Sequence, residues 1–415
     1  MDDSPNDPTP ARSAVEAGPG PPVLASQEGL AIVLDGGGAR AAYQIGLLRA
    51  LARHYPTLRI PIITGVSAGA INAAFLANHS GTLAETVEDL TRVWSELRVE
   101  DVFRVDSRSL LGNILHWGPR LVGGGRTLRP PLRGLVDTTP LQTTLETALN
   151  VGPNGEIGNI RRNIESGRID AIAIIASNYT TGRSVAWVQG RRHLEDWERP
   201  FRHSRKATIT INHVMASCAL PLLFPAWHLD DSWYGDGGIR LTAPLSPALH
   251  LGANRILAIS TKYGKRQSED GAATRQDGAY PPPLQIAGQL LNAVFLDDHD
   301  RDALALSRIN WLARELPPER RHGLRVVDLV LIRPSVDIGR LAGEYEPRLP
   351  GMFRYLTRGL GSRETRTPDV LSLLMFDPGY LKRLIEIGEA DAEARATDIA
   401  ELLGKPVSSS TGTQP

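Results

Sequence analysis

Apolar residues fall into two spacings along this chain. Short unbroken runs predict buried strands: LAIVL at 30–34, IPII at 60–63, DAIAIIA at 170–176, SVAWV at 184–188, RILAIST at 255–261 and VVDLVLI at 326–332. Helical spacing fills the intervals. Ala41, Ile45, Leu48 and Ala52 share a face after the first run, and AINAAFLANH reads as a helix after the second. Leu83, Val87, Leu90, Val93 and Leu97 form one apolar stripe over 83–97. Further helical patterns lie around 141–149, 286–316 and 379–399. Strands alternating with helices predict an α/β fold with a largely parallel central sheet flanked by helices.

Composition sets bounds on this picture. The chain has 415 residues, of which 41% are hydrophobic, enough for one large domain with insertions or two smaller ones. Its formal net charge is zero. It therefore has no global attraction to nucleic acid or to anionic lipid, and any membrane contact must come from a local patch. Cys218 is the single cysteine, which rules out an intramolecular disulfide and fits a reducing compartment. Residues 1–28 and 405–415 have the Pro, Gly, Ser and polar content of disordered tails. The N-terminal stretch lacks a secretory pattern, and no apolar run reaches the roughly 18 residues of a membrane span. The expectation is a cytoplasmic protein, peripheral at the inner membrane face if it meets a membrane. KRQSEDGAATRQDGAYPPP (265–283) and GSRETRTPD (361–369) read as flexible loops.

Candidate chemistry sits in three places. DGGGAR (35–40) lies between a predicted strand and a predicted helix. Gly36, Gly38 and Ala41 fit a dinucleotide fingerprint, but the second strand ends in Thr64, Gly65 and Val66 without the acidic residue that holds a ribose. The other readings are a tight turn and an oxyanion hole, since glycines let backbone N–H groups face one point. GVSAG (65–69) matches G-x-S-x-G, with Gly65 and Gly69 allowing a sharp turn that exposes Ser67. Asp236-Gly237-Gly238 places a carboxylate in a glycine turn. It is either an exposed turn residue or a desolvated base for Ser67. His250, His299 and His322 follow it in the order of a Ser–Asp–His arrangement, but no local context marks any of them as more than a surface or loop residue.

Taken together, the three stretches resemble the patatin-like phospholipase family, best over residues 30–260. The resemblance implies a three-layer fold and a Ser–Asp dyad without histidine. Ser67 matches the nucleophile, Asp236 the base, and Gly36, Gly37, Gly38 and Arg40 the oxyanion loop. Gly65, Gly69, Gly237 and Gly238 support the turns. ASCALPLLFP, DTTPL (137–141), TTGRSV (180–185) and LLMFDPGYLKRLIEIGEADA (373–392) also look like segments of family members, the last three of bacterial ones. Ala41 departs from the pattern, standing where many members carry glycine.

The implied reaction is acyl-ester hydrolysis on phospholipid or another lipid ester at a membrane or micelle surface, with no metal and no cofactor. A thioesterase or acyltransferase using the same dyad, or a non-catalytic lipid-binding protein, are the alternatives. The domain plan places a catalytic domain at 29–260 and a helical and strand extension at 261–404. Within the first, residues 107–136 carry Arg108, Arg120, Arg126, Arg129 and Arg133 among Leu110, Leu111, Ile114, Leu115 and Trp117, with no acid. This basic, apolar stretch reads either as a lid facing lipid or as an insertion packed on the core.

Overall fold

In the computed structural model, residues 28–104, 134, 136–191, 194–241, 243–264, 298–349 and 369–404 are described. The two tails, the loops at 265–283 and 361–369 and the segment 107–136 lie outside them except at their edges. The expected strands form, with shifted ends: β1 (Leu30–Leu34), β2 (Ile62–Val66), β3 (Ala171–Asn178), β4 (Arg183–Gly190), β9 (Arg255–Ile259) and β10 (Asp328–Ile332). β2 starts after Pro61, which has no N–H to give a ladder, and runs on to the residue before Ser67. Four short strands went unpredicted: β5 (Glu198–Arg199), β6 (Arg202–Lys206), β7 (Trp227–Leu229) and β8 (Ser232–Asp236). They are two to five residues long, and their polar side chains mask the alternation that marks longer strands.

Among the described residues the ten strands make one sheet, with β10-β9-β1-β2-β3-β4-β6-β5 in order. The run from β10 to β3 is parallel, β3 and β4 are antiparallel, and β8 pairs antiparallel with β3. Leu30, Ile32, Leu34, Ile63, Ile172 and Ile174 point to one face. That face is covered by α1 (Ala42–His54), α2 (Ala68–Asn78), α3 (Leu83–Glu96) and α12 (Pro378–Ala394). Between these in chain order lie α4 (Val99–Val102), α5 (Thr139–Ala148), α6 (Asn159–Glu165), α7 (Ile211–Ser217), α10 (Ile338–Tyr345) and α11 (Asp369–Leu374), and α13 (Ala396–Leu402) follows. Ala31, Val33, Ile62, Ala171 and Ala173 point to the other face. There they meet Leu245, Ala248 and Leu251 around α8 (Ser246–His250), and Leu306 of α9 (Asp298–Glu315). Helices on both faces of a largely parallel sheet give the α/β layering that the sequence predicted.

The C-terminal part is built into this core. The pattern at 379–399 predicted one helix; the structure has two, α12 and α13, because Arg395 leaves the helical region. α12 lies directly on α1. A Cβ on Gly46 would overlap the Ile385 carbonyl, and one on Gly388 the Tyr43 carbonyl, so the two backbones touch. Inside this contact Tyr43 donates to Asp391 Oδ2 at 3.0 Å.

Candidate active site

β2 and β8 share one edge of β3. β2 occupies Ala171–Ile175, with Val66 opposite Ile175, while β8 runs the other way along Ala176–Asn178 and ends with Asp236 opposite Ala176. The other edge of β3 belongs to β4 along its whole length. The C-terminal ends of β2 and β8 therefore meet end to end. The next residue after β2 is Ser67 and the last residue of β8 is Asp236. Gly237 fits here because a Cβ would overlap the Ile175 carbonyl and the Val66 side chain.

Ser67 is the N-cap of α2, at φ 54° and ψ −130°. A non-glycine residue rarely adopts this conformation, and it persists only where its surroundings fix it. They do so here. The Ser67 N–H donates to Ser217 Oγ at 2.8 Å, and Ser217 Oγ donates to the Ile175 carbonyl at 2.6 Å. The Cys218 thiol donates to the Ser67 carbonyl at 3.1 Å. A Cβ on Gly65 would strike the Gly69 carbonyl, and one on Gly69 the carbonyls of Leu34 and Asp35. Both glycines thus permit the close passage of β1, β2 and α2.

Asp236 is 1% exposed, which excludes the reading of an exposed turn residue. Its Oδ1 accepts from the Gly238 N–H at 2.9 Å, while Oδ2 is buried without a hydrogen-bond partner. Burial pushes its pKa up to about 7; the nearby Asp35 adds to the rise, and the Ser67 hydroxyl and Gly238 N–H pull against it. Ser67 is thus close enough to act on the carboxylate, although Oδ2 makes no hydrogen bond of ordinary geometry. Such contacts tighten when substrate arrives. Tyr179 packs on the preceding residue of β8: its hydroxyl lies where a Gly235 Cβ would be, and burial, followed by the Asp236 charge, raises its pKa to about 12.

The glycine loop leaves β1 beside this junction. The Gly36 N–H donates to Asp35 Oδ1 at 2.9 Å, and the Gly36 carbonyl accepts from Thr261 Oγ1 at 2.5 Å. Among the described residues the N–H groups of Gly37 and Gly38 have no protein acceptor. Both have positive φ, 145° and 54°. A Cβ on Gly38 would overlap the Leu373 carbonyl. Of the four loop residues singled out in the sequence, Gly36, Gly37 and Gly38 line the cavity above Ser67, and Arg40 does not. Arg40 is buried and donates from Nε to Ser372 Oγ at 2.6 Å, tying the loop to α11.

That cavity measures about 920 Å³, counted out to its open mouth, and its floor holds Ser67, Asp236 and the loop glycines. The walls are apolar, with Ile71, Trp94, Leu97, Leu145, Phe224 and Leu373 among them. Gly134, where the segment 107–136 returns, packs its backbone against Phe224 and Pro225.

Several residues that hold this arrangement carry no sequence signature. The Asp35 carbonyl accepts from Gln44 Nε2 at 2.7 Å; Gln44 Oε1 accepts from Asn72 at 2.8 Å; Asn72 Oδ1 accepts from Trp94 at 2.7 Å. This buried chain joins the glycine loop to α1, α2 and α3. Ser217, Tyr179 and Thr261 belong to the same class. They lie 150, 112 and 194 residues from Ser67, and only the pairing of distant strands brings them in. No histidine lines the cavity among the described residues. His250 stacks on Trp197, His322 is exposed, and the side chain of His299 lies outside the described residues. No group of three or more His, Cys, Asp or Glu suited to a metal ion is assembled among the described residues.

Comparison with known proteins gives one family match. Residues 32–249 match the family described as patatin-like phospholipase. Human GIVD cytosolic phospholipase A2 aligns at 13% identity over 90% of this chain and 59% of that chain, with a TM-score of 0.46. VipD from Legionella pneumophila aligns at 13% identity over 92% and 67%, with a TM-score of 0.34. The present chain spans less than two thirds of the human protein's length.

Proposed function

This chain belongs to the patatin-like phospholipase family, and on that premise we propose that it is a serine acyl-ester hydrolase that releases fatty acid from phospholipid or other lipid esters. Family membership supports a hydrolase of the phospholipase group acting on lipid. The single observation that carries the finer reading is the junction of β2 and β8, which sets a strained serine beside a buried carboxylate on the floor of an apolar cavity.

The chemistry follows from that placement. Asp236, held near neutrality by burial, takes the proton of Ser67 Oγ as the oxygen attacks the ester carbonyl. The carbonyl oxygen becomes an oxyanion and is met by the N–H groups of Gly37 and Gly38. The Gly36 N–H is already spent on Asp35. One such donor contributes on the order of 10²–10³ in rate. Arg40 keeps the loop in place through Ser372. Asp236 then returns the proton to the leaving alkoxide. Water attacks the acyl-serine, again giving its proton to Asp236, and the fatty acid departs as Ser67 is restored. The apolar walls suit an acyl chain. Among the described residues no helix is long and apolar enough to cross a membrane.

The test is fatty-acid release from mixed liposomes by wild type, Ser67→Ala and Asp236→Asn. Release by wild type that is lost in both variants supports the proposal. Release that survives Ser67→Ala overturns it.

A further inference from the structure

Away from the cavity, the β5–β6 edge gathers arginines that form no ion pair among the described residues. β5 and β6 are antiparallel, with Arg199 directly opposite Arg202. Residues so placed share a face, and like charges there repel. The face can be identified. Arg202 pairs with Ser184, two residues before Ala186, and Ala186 clusters with Val66, Ile175 and Trp197. Trp197 is fixed by its N–H to Ser204 Oγ at 2.8 Å, and its ring stacks on His250 with centroids 4.4 Å apart. A third guanidinium belongs to Arg325, which donates to the Leu249 carbonyl beside His250.

Among the described residues none of the three arginines forms an ion pair. Of the adjacent carboxylates, Glu198 is ion-paired with Arg183 at 2.6 Å, while Asp196 accepts from Ser204 Oγ at 3.2 Å and forms no ion pair with the three arginines. Two N–H donors, Trp197 Nε1 and Arg202 Nε, are buried with no acceptor among the described residues. Burial lowers the His250 pKa, and Arg199, Arg202 and Arg325 each lower it further. None of these residues lines the cavity over Ser67.

We infer that Arg199, Arg202, Arg325 and Trp197 form a binding site for a phosphate-type anion at the β5–β6 edge of the sheet. The donor set selects the class. Planar guanidiniums match tetrahedral oxyanions in paired hydrogen bonds, and the buried indole and guanidinium N–H groups need acceptors. One anion between Arg199 and Arg202 would remove the cross-strand repulsion. A phosphate ester on a lipid headgroup and a free phosphate offer the same chemistry.

The experiment titrates the full chain with inorganic phosphate at low ionic strength by calorimetry. It also measures flotation with phosphatidylcholine vesicles, with and without phosphatidic acid. The comparison is wild type against an Arg199→Gln, Arg202→Gln double variant. Phosphate is expected to bind and raise the Tm of wild type, and the double variant to lose about tenfold or more in affinity. Without phosphate, the double variant should be at least as stable as wild type, because it removes a like-charge pair; this also shows that it folds. Phosphate binding without flotation marks a free-anion site. Flotation that needs phosphatidic acid and fails in the variant marks a headgroup site. Absence of both, or binding unchanged in the variant, overturns the inference. None of these readouts requires hydrolysis, so the result stands or falls apart from the proposed reaction.

Discussion

The backbone N–H of Ser67 is hydrogen-bonded to the side chain of Ser217 at 2.8 Å. Ser217 passes the link on to the Ile175 carbonyl of β3, so a strained turn is tied to the middle of the sheet. Ser217→Ala leaves a buried N–H and a buried carbonyl unmet, which costs about 1–3 kcal/mol of stability. The loosened turn should lower kcat roughly 10- to 100-fold while KM changes little, because the cavity walls are untouched. Denaturant unfolding and steady-state kinetics on a soluble ester check both effects.

The state of Asp236 sets the acid limb of the pH profile. As a base it must be ionised, and its pKa is pushed up to about 7. Below that pH, kcat/KM should fall about tenfold per unit.

The same residue affects stability with the opposite sense. The folded pKa lies above the unfolded value of 3.8, so between about pH 4 and pH 7 the native state binds more protons than the unfolded chain. Stability contributed by the protonated form is complete below that window and is lost as pH rises through it. Asp236→Asn should abolish activity and be more stable than wild type at pH 8, by up to about 4 kcal/mol. Thermal unfolding of both proteins from pH 4 to pH 8 measures the difference.

The glycine loop rests on the C-terminal part of the chain. Gly38 has φ 54° and lies against the Leu373 carbonyl, so Gly38→Ala meets both a strained conformation and a clash. The cost should be about 1–3 kcal/mol, with acyl transfer reduced more strongly than ligand binding. Unfolding curves and inhibitor affinity separate the two.

The layered α/β fold and the three chemical stretches were legible in the sequence because each rests on local pattern. LAIVL and DAIAIIA are apolar enough to read as buried strands, and GVSAG announces its turn by its small residues. The strand that carries Asp236 was not legible. SWYGD has no clean alternation, and its meeting with β2 depends on two distant pairings, Asp236 with Ala176 about 60 positions away and Val66 with Ile175 about 109 positions away. The roles of Arg40 and Ser372 were hidden for a similar reason, since the two lie 332 residues apart. The Gln44–Asn72–Trp94 chain was hidden because polar residues at helix spacing look the same whether they face water or one another.

The most direct test of the central claim is intact-mass and peptide analysis after treatment with a fluorophosphonate probe, on wild type, Ser67→Ala and Asp236→Asn. The account predicts one adduct on wild type, located on Ser67, none on Ser67→Ala, and greatly slowed labelling of Asp236→Asn. An adduct at another residue, or undiminished labelling of Asp236→Asn, would contradict it.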